Sequence, residues 1–172
     1  YVTEERNTIL MNSRLLVVVD SDRVIEGLEE SFSSESGPAS ITIFYADQGQ
    51  EKELDNLGVT PELTDSVAGL ADEAFDDIVY FGSNKETIEV LNDKLAANGI
   101  INIVLGGKTI GEHVSVGVGR THYGMTRWIG TAGTDAAKSY RNIPVTGEAR
   151  IGDNVLIVGA AGPMGQMHTI RL

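Results

Sequence analysis

Cysteine is absent from the 172-residue chain, which excludes disulfides, thiolate catalysis and cysteine-ligated zinc within these residues. Basic residues are scarce: 13 Lys and Arg stand against 25 Asp and Glu, for a net charge of −12. A nucleic-acid footprint requires clustered cations that displace counterions from phosphates, so nucleic acid is not expected as a partner. No apolar run reaches the ~20 residues of a membrane span, and no charged-then-apolar leader is present. A soluble, cytoplasmic protein with no membrane partner is therefore expected. The three histidines, His113, His122 and His168, lack metal-ligand spacing and read as surface or hydrogen-bonded side chains, so no metal site is expected here.

What is present is a core. The chain is 41% hydrophobic, enough for one ordinary domain. Its apolar runs are short, β-branched and separated by helical stretches, the pattern of a mostly parallel sheet covered on both faces. The expected fold class is α/β, a three-layer Rossmann-type sandwich. Strands are predicted at Leu15–Val19, Ile41–Tyr45, Asp77–Phe81, Ile100–Leu105, Val114–Val118 and Thr126–Thr131. Helices are predicted over 23–33, where Val24, Leu28 and Phe32 share one face, over 51–57 and 65–74, and from Lys85 to Asn98 with Gly99 as its stop. The organisation reads as a Rossmann-like unit over 13–135, a linker with a short helix or turn over 136–149, and the opening of a second unit over 150–172. Tyr1 stands where an initiator Met would, and a helix from Pro163 has only about two and a half turns before Leu172. The chain accordingly reads as a piece of a longer protein.

The chemistry-bearing signal is Asn154-Val-Leu-Ile-Val-Gly-Ala-Ala-Gly-Pro-Met-Gly165. An apolar strand runs directly into three glycines: Gly159 suits a tight bend, Gly162 a close backbone approach to a pyrophosphate, and Gly165 close packing of helix on strand. Pro163 falls at a helix start, where its missing N–H is no loss. The bland alternative is a turn that only packs a helix onto a strand. In the first unit, by contrast, the strand runs into Asp20-Ser-Asp22, and two carboxylates would repel a pyrophosphate. Asp47, 27 residues after Asp20, sits where a ribose-binding acid belongs, but without the glycines it reads as a strand-terminal carboxylate. The acidic pair, with Lys108 after a later strand, also resembles a two-component receiver domain. That reading fails because the strand Asp77–Phe81 ends in Gly82-Ser83 where the phosphoacceptor Asp should stand.

The segments Asp76-Asp-Ile-Val-Tyr80, Gly99-Ile-Ile-Asn-Ile-Val-Leu-Gly-Gly107 and Arg150-Ile-Gly-Asp-Asn-Val-Leu-Ile-Val-Gly-Ala-Ala-Gly-Pro-Met-Gly165 resemble the coenzyme domain of medium-chain, zinc-type alcohol and polyol dehydrogenases. The likeness is closest to the sorbose-phosphate-reductase-like branch. The resemblance implies a parent enzyme that transfers hydride between NAD or NADP and an alcohol, polyol or sugar derivative. It implies cofactor binding by Gly159, Gly162, Pro163, Met164 and Gly165. It places zinc and the catalytic residues in a domain absent from this chain, so the chain by itself should be inactive. The rival reading is a non-catalytic Rossmann-like scaffold or oligomerisation module. Burying the four side chains of Val155–Val158 at ~1.5–3 kcal/mol each would stabilise by roughly 6–12 kcal/mol before ordering costs. That strand is thus expected to be paired into the sheet of the 13–135 unit, or into that of a second copy as a homo-oligomer contact.

Overall fold

The computed structural model describes residues 6–32, 37–47, 49, 50, 54, 57, 60–144, 146 and 149–172. They fall into two units, one spanning Arg6–Ile143 and the other containing Pro144–Leu172.

In the first unit, β1 (Arg14–Val19), β2 (Ser40–Tyr45), β3 (Glu62–Leu63), β4 (Phe75–Phe81), β5 (Leu95–Val104) and β6 (Arg127–Thr131) form one sheet in the order β3-β2-β1-β4-β5-β6. Every pairing is parallel. β1 lies between β2 and β4, which explains its sequence: Leu15, Leu16, Val17, Val18 and Val19 are all buried, because layers cover both faces of a central parallel strand. On one face Leu15, Val17, Val19, Ile43, Val79 and Phe81 pack with Ala136 and Tyr140. On the other, Leu16, Val18, Ile78, Tyr80, Ile88 and Leu91 form a second cluster. Helix α1 (Lys85–Lys94) belongs to the second face, α2 is Val118–Tyr123, and α3 (Ala136–Arg141) covers the first face. This is the doubly wound α/β sandwich of Rossmann type, with its order reversing between β1 and β4.

Several predicted elements differ. No helix forms over the described part of 23–33; the chain makes a single 3-10 turn at Glu29–Ser31. Gly27 takes φ +72, and a Cβ there would lie 2.0 Å from Asp135 Oδ1. Gln50 Nε2 donates to the Arg23 carbonyl at 3.0 Å, capturing an acceptor that a helix would have used, and to the Asp20 carbonyl at 2.8 Å. The 51–57 helix lies outside the described residues apart from Leu54 and Leu57, both buried. Over 65–74 the chain turns irregularly, because Lys94 Nζ binds the Ala68 and Leu70 carbonyls and Asp72 Oδ1. Helix α1 starts as expected, with Asn84 Oδ1 accepting the Thr87 N–H at 2.8 Å. It stops at Lys94, and Gly99 lies within β5, where Leu95 pairs Phe75 before the register shifts to Ile100. Val114–Val118 is no strand; the position beside β5 belongs to β6, and Ser115 N–H donates to Glu89 Oε1. The 136–149 stretch holds α3, with Ala136, Ala137, Ser139 and Tyr140 buried.

In the second unit, α4 (Pro163–Arg171) forms where the proline placed it. Val155–Val158 does not form the expected strand. Val155, Leu156 and Val158 are 53, 87 and 88% exposed, so neither pairing into the 13–135 sheet nor a helix covering them is observed. A strand exists only through its neighbours' hydrogen bonds, and among the described residues no strand pairs with Val155–Val158. Residues 150–172 supply only the turn and α4.

Candidate functional site

The turn is built although the strand is not. Gly159 adopts φ +80, a left-handed conformation that glycine tolerates without strain. The Gly162 N–H donates to Gly159 O at 3.0 Å, and the Gln166 N–H to Gly162 O at 2.9 Å, closing the first turn of α4. Gly165 is buried, and a Cβ there would stand 2.1 Å from Gly159 O and 2.6 Å from Ala160 Cα. Gly165 is therefore demanded by the turn's own packing. Gly162 is not: a Cβ there would meet only Gly159 O, at an ordinary 3.5 Å. Pro163 begins a nine-residue helix that has no side-chain cap at its amino end, the arrangement that favours an anion. Met164 beside it is 63% exposed. Gly159, Gly162, Pro163, Met164 and Gly165 are thus brought into one turn. His168, further along α4, lines a cavity of about 620 Å³ with Asn154, Val155, Leu156 and Arg171.

The corresponding position of the first unit, at the carboxyl ends of β1 and β4, is filled by the chain's own side chains. The Tyr80 hydroxyl donates to the Asp20 carboxylate, 3.1 and 2.9 Å from its two oxygens, and accepts the Asn84 N–H at 3.0 Å. Burial, followed by the adjacent Asp20 charge, pushes the Tyr80 pKa upward, so this hydroxyl remains a donor. The Ser83 N–H reaches Asp20 Oδ2 at 3.3 Å, and buried Arg23 donates from Nη2 to Ser83 Oγ at 3.0 Å. A Cβ at Gly82 would lie 2.3 Å from the Tyr80 ring and 2.4 Å from Asp20 Oδ2. Asp22 pairs with Lys108. A pyrophosphate would have to displace a satisfied carboxylate here, and no α-helix follows β1 to attract it. Asp47 Oδ1 accepts the Gly49 N–H at 2.9 Å, a local turn bond.

Tyr80, Ser83, Arg23 and Gln50 escape the sequence reading because each acts across 27 to 63 residues of chain. The one available signal is that Gly82 follows Tyr80 and Phe81 at a strand end. Among the described residues there is no group of three metal-ligating side chains, and no helix is long and apolar enough to cross a membrane.

No family model and no curated protein matches the chain. Solved structures do. A zinc-binding dehydrogenase of Sinorhizobium meliloti 1021, bound to NADP, is similar at 15% identity and TM-score 0.54 over 77% of this chain and 41% of its own. An alcohol dehydrogenase from Thermotoga maritima is similar at 8% identity and TM-score 0.53, over 78% of this chain and 36% of its own. The benzyl alcohol dehydrogenase of Acinetobacter calcoaceticus is similar at 15% identity and TM-score 0.51, over 79% and 38%. A match over three quarters of the chain falls mainly on Arg6–Ile143, because the described 144–172 segment is less than a fifth of it. The chain spans about two fifths of the length of these proteins, and what it shares with these dehydrogenases is their Rossmann-type fold.

Proposed function

We propose that the chain is part of an NAD(P)-dependent medium-chain oxidoreductase, of the sorbose-phosphate-reductase-like branch, acting on an alcohol, polyol or sugar derivative. In this reading 13–135 is a Rossmann unit without a dinucleotide turn, 136–149 connects it, and 150–172 opens a second unit whose turn holds the cofactor diphosphate. The observation that carries the reading is Gly162. The chain's own packing would accept a side chain there, so glycine at this position answers to something outside the turn, and backbone approach of a diphosphate is the chemistry that requires it. Gly159 sets the bend, Pro163 starts the helix, and Gly165 seats α4 against the bend. The exposed Met164 flanks the anion. The nicotinamide supplies the hydride chemistry when bound. This chain's residues bind and orient the diphosphate end, and the catalytic residues and any zinc belong to sequence beyond this chain. The small-molecule substrate is bound there too, and a cytoplasmic setting accords with the acidic, cysteine-free composition.

The test is cofactor fluorescence titration of the longer protein carrying Gly162→Val. The expected result is loss of NAD(P)H affinity by a hundredfold or more with an unchanged melting temperature for the Arg6–Ile143 unit. Unchanged affinity would make the turn purely structural. The 172-residue chain by itself is expected to show no dehydrogenase activity and no calorimetric binding of NAD(H) or NADP(H). A micromolar Kd, about −8 kcal/mol, would show that the Asp20 turn admits a dinucleotide after all.

A further inference from the structure

We infer that the Arg6–Ile143 unit binds an arylalkyl ammonium ion, a primary amine in its protonated form, in the cleft between α1 and the turn that follows β3. The cleft holds about 340 Å³ and lies wholly within this unit, apart from the glycine turn. Phe44, Val67 and Val90 give it apolar walls, and each is only half-buried, so part of each side chain is within a ligand's reach. Asp20, Asp65 and Glu86 line it as well, and among the described residues no lysine, arginine or histidine does. These charges are uncompensated. The exposed carboxylates of Asp65 and Glu86 have neither a cation nor a hydrogen-bond donor among the described residues. Asp20 accepts from the Tyr80 hydroxyl and the Ser83 N–H, both neutral. A carboxylate offers about four acceptor sites, so roughly two remain on Asp20 for a further donor.

Charge, walls and size select the ligand. The amino end of α1 favours anions by about half a charge, and Asn84 Oδ1 already caps its Thr87 N–H. Three carboxylates outweigh it. The cleft therefore repels phosphates, as Asp20 does in the neighbouring turn, and attracts a cation. A metal ion is the wrong cation, because among the described residues no three acidic or histidine side chains converge closely enough to hold one. An ammonium ion needs no such convergence, and its organic body covers the apolar walls. At about 340 Å³ the cleft has room for about eleven waters at ~30 Å³ each, the lower edge of the ~300–1,000 Å³ range of small-molecule pockets. It fits a phenyl ring on a two-carbon ammonium chain, with Phe44 offering a face or edge to the ring.

The experiment follows the Val67 and Val90 methyl resonances of the ¹³C-labelled 172-residue chain during titration with 2-phenylethylammonium at pH 7 and constant ionic strength. The controls are 2-phenylethanol, which keeps the ring and loses the charge, ethylammonium, which keeps the charge and loses the ring, and phenylacetate, which reverses the charge. The expected result is a saturable shift with 2-phenylethylammonium at millimolar concentration, at least tenfold weaker with each control. Asp65→Asn combined with Glu86→Gln changes two exposed carboxylates that hold no described group in place, so the chain should fold and bind about fivefold more weakly or worse. Equal binding of 2-phenylethanol or phenylacetate would show that the carboxylates recognise nothing, and equal binding of ethylammonium would show the same of the apolar walls. Either result, unchanged affinity in the double variant, or no saturable shift in the wild type would overturn the proposal.

Discussion

Leu15–Val19 and Val155–Val158 are both short runs of branched apolar residues that lead into a turn, and their fates are opposite. The first is a fully buried strand whose turn is closed by Asp20, Tyr80 and Ser83. The second is exposed and unpaired, while its glycine turn and helix are fully formed. The contrast separates what is local from what is not. The turn Gly159–Gly165 is held by bonds that span three or four residues, so it forms wherever those residues occur. A strand has no such internal bonds and takes its conformation from partners across the sheet. A glycine turn and its helix can therefore stand without a strand before them, and a buried strand can stand with the turn after it closed by side chains.

The comparison would break most visibly at Gly82. Gly82→Val puts branched methyls where even a Cβ would lie 2.3 Å from Tyr80 and 2.4 Å from Asp20. The first unit should lose about 3 kcal/mol or more, read by urea denaturation, with no change in α4. A neutral result would mean that the closed turn yields freely.

The foot of the same strands provides a second lever. Asp77 is buried beside Arg6, 2.6 Å from its guanidinium, and accepts the Leu10 N–H. Burial outweighs the Arg6 charge and lifts its pKa to about 6 from an ordinary 3.8. Because the folded value is the higher one, the unfolded chain releases this proton first. The stabilisation is complete below about pH 4 and is lost as pH rises through 6. At ~1.36 kcal/mol per pH unit the difference is about 3 kcal/mol. The unfolding free energy of the Arg6–Ile143 unit should accordingly fall between pH 4 and 7, and Asp77→Asn should flatten that slope. An identical pH profile in the variant would assign the dependence to other carboxylates.

Tyr80→Phe removes the hydroxyl that joins Asp20 to the Asn84 N–H. It should destabilise by about 1–3 kcal/mol, through buried polar groups left unmatched. An effect within 0.5 kcal/mol, the usual scatter of surface changes, would show that solvent replaces it. The smallest effects test the glycine turn. Gly165→Ala should disperse the amide resonances of residues 159–171, whereas Gly162→Ala should leave them in place, since the added methyls would meet Gly159 O at 2.1 and 3.5 Å respectively. Equal perturbation by the two would remove the distinction on which the cofactor reading rests.

What was legible in the sequence was of two kinds. The continuous runs Leu15–Val19, Asp77–Phe81 and Ile100–Leu105 announce central parallel strands, because only burial on both faces makes such runs stable. The starts of α1 at Lys85 and of α4 at Pro163 are legible as well, because each is fixed by residues within a turn of it. The 23–33 stretch carries a helical pattern too, but Gln50, Asp135 and Gly27 decide against it from elsewhere in the unit. The C-terminal end of α1 was likewise misplaced, because the pull on Lys94 comes from carbonyls 24 and 26 residues away.

By itself the sequence determined the α/β sandwich, the places of its principal strands along the chain and the form of the glycine turn, all of which follow from burial periodicity and short-range bonds. Tertiary structure alone decided that the first turn is closed by Tyr80 and Arg23, that Asp77 is buried with its pKa raised, and that Val155–Val158 is no strand. Each of these depends on which groups, distant along the chain, come within a few ångströms or fail to, and periodicity carries no record of that.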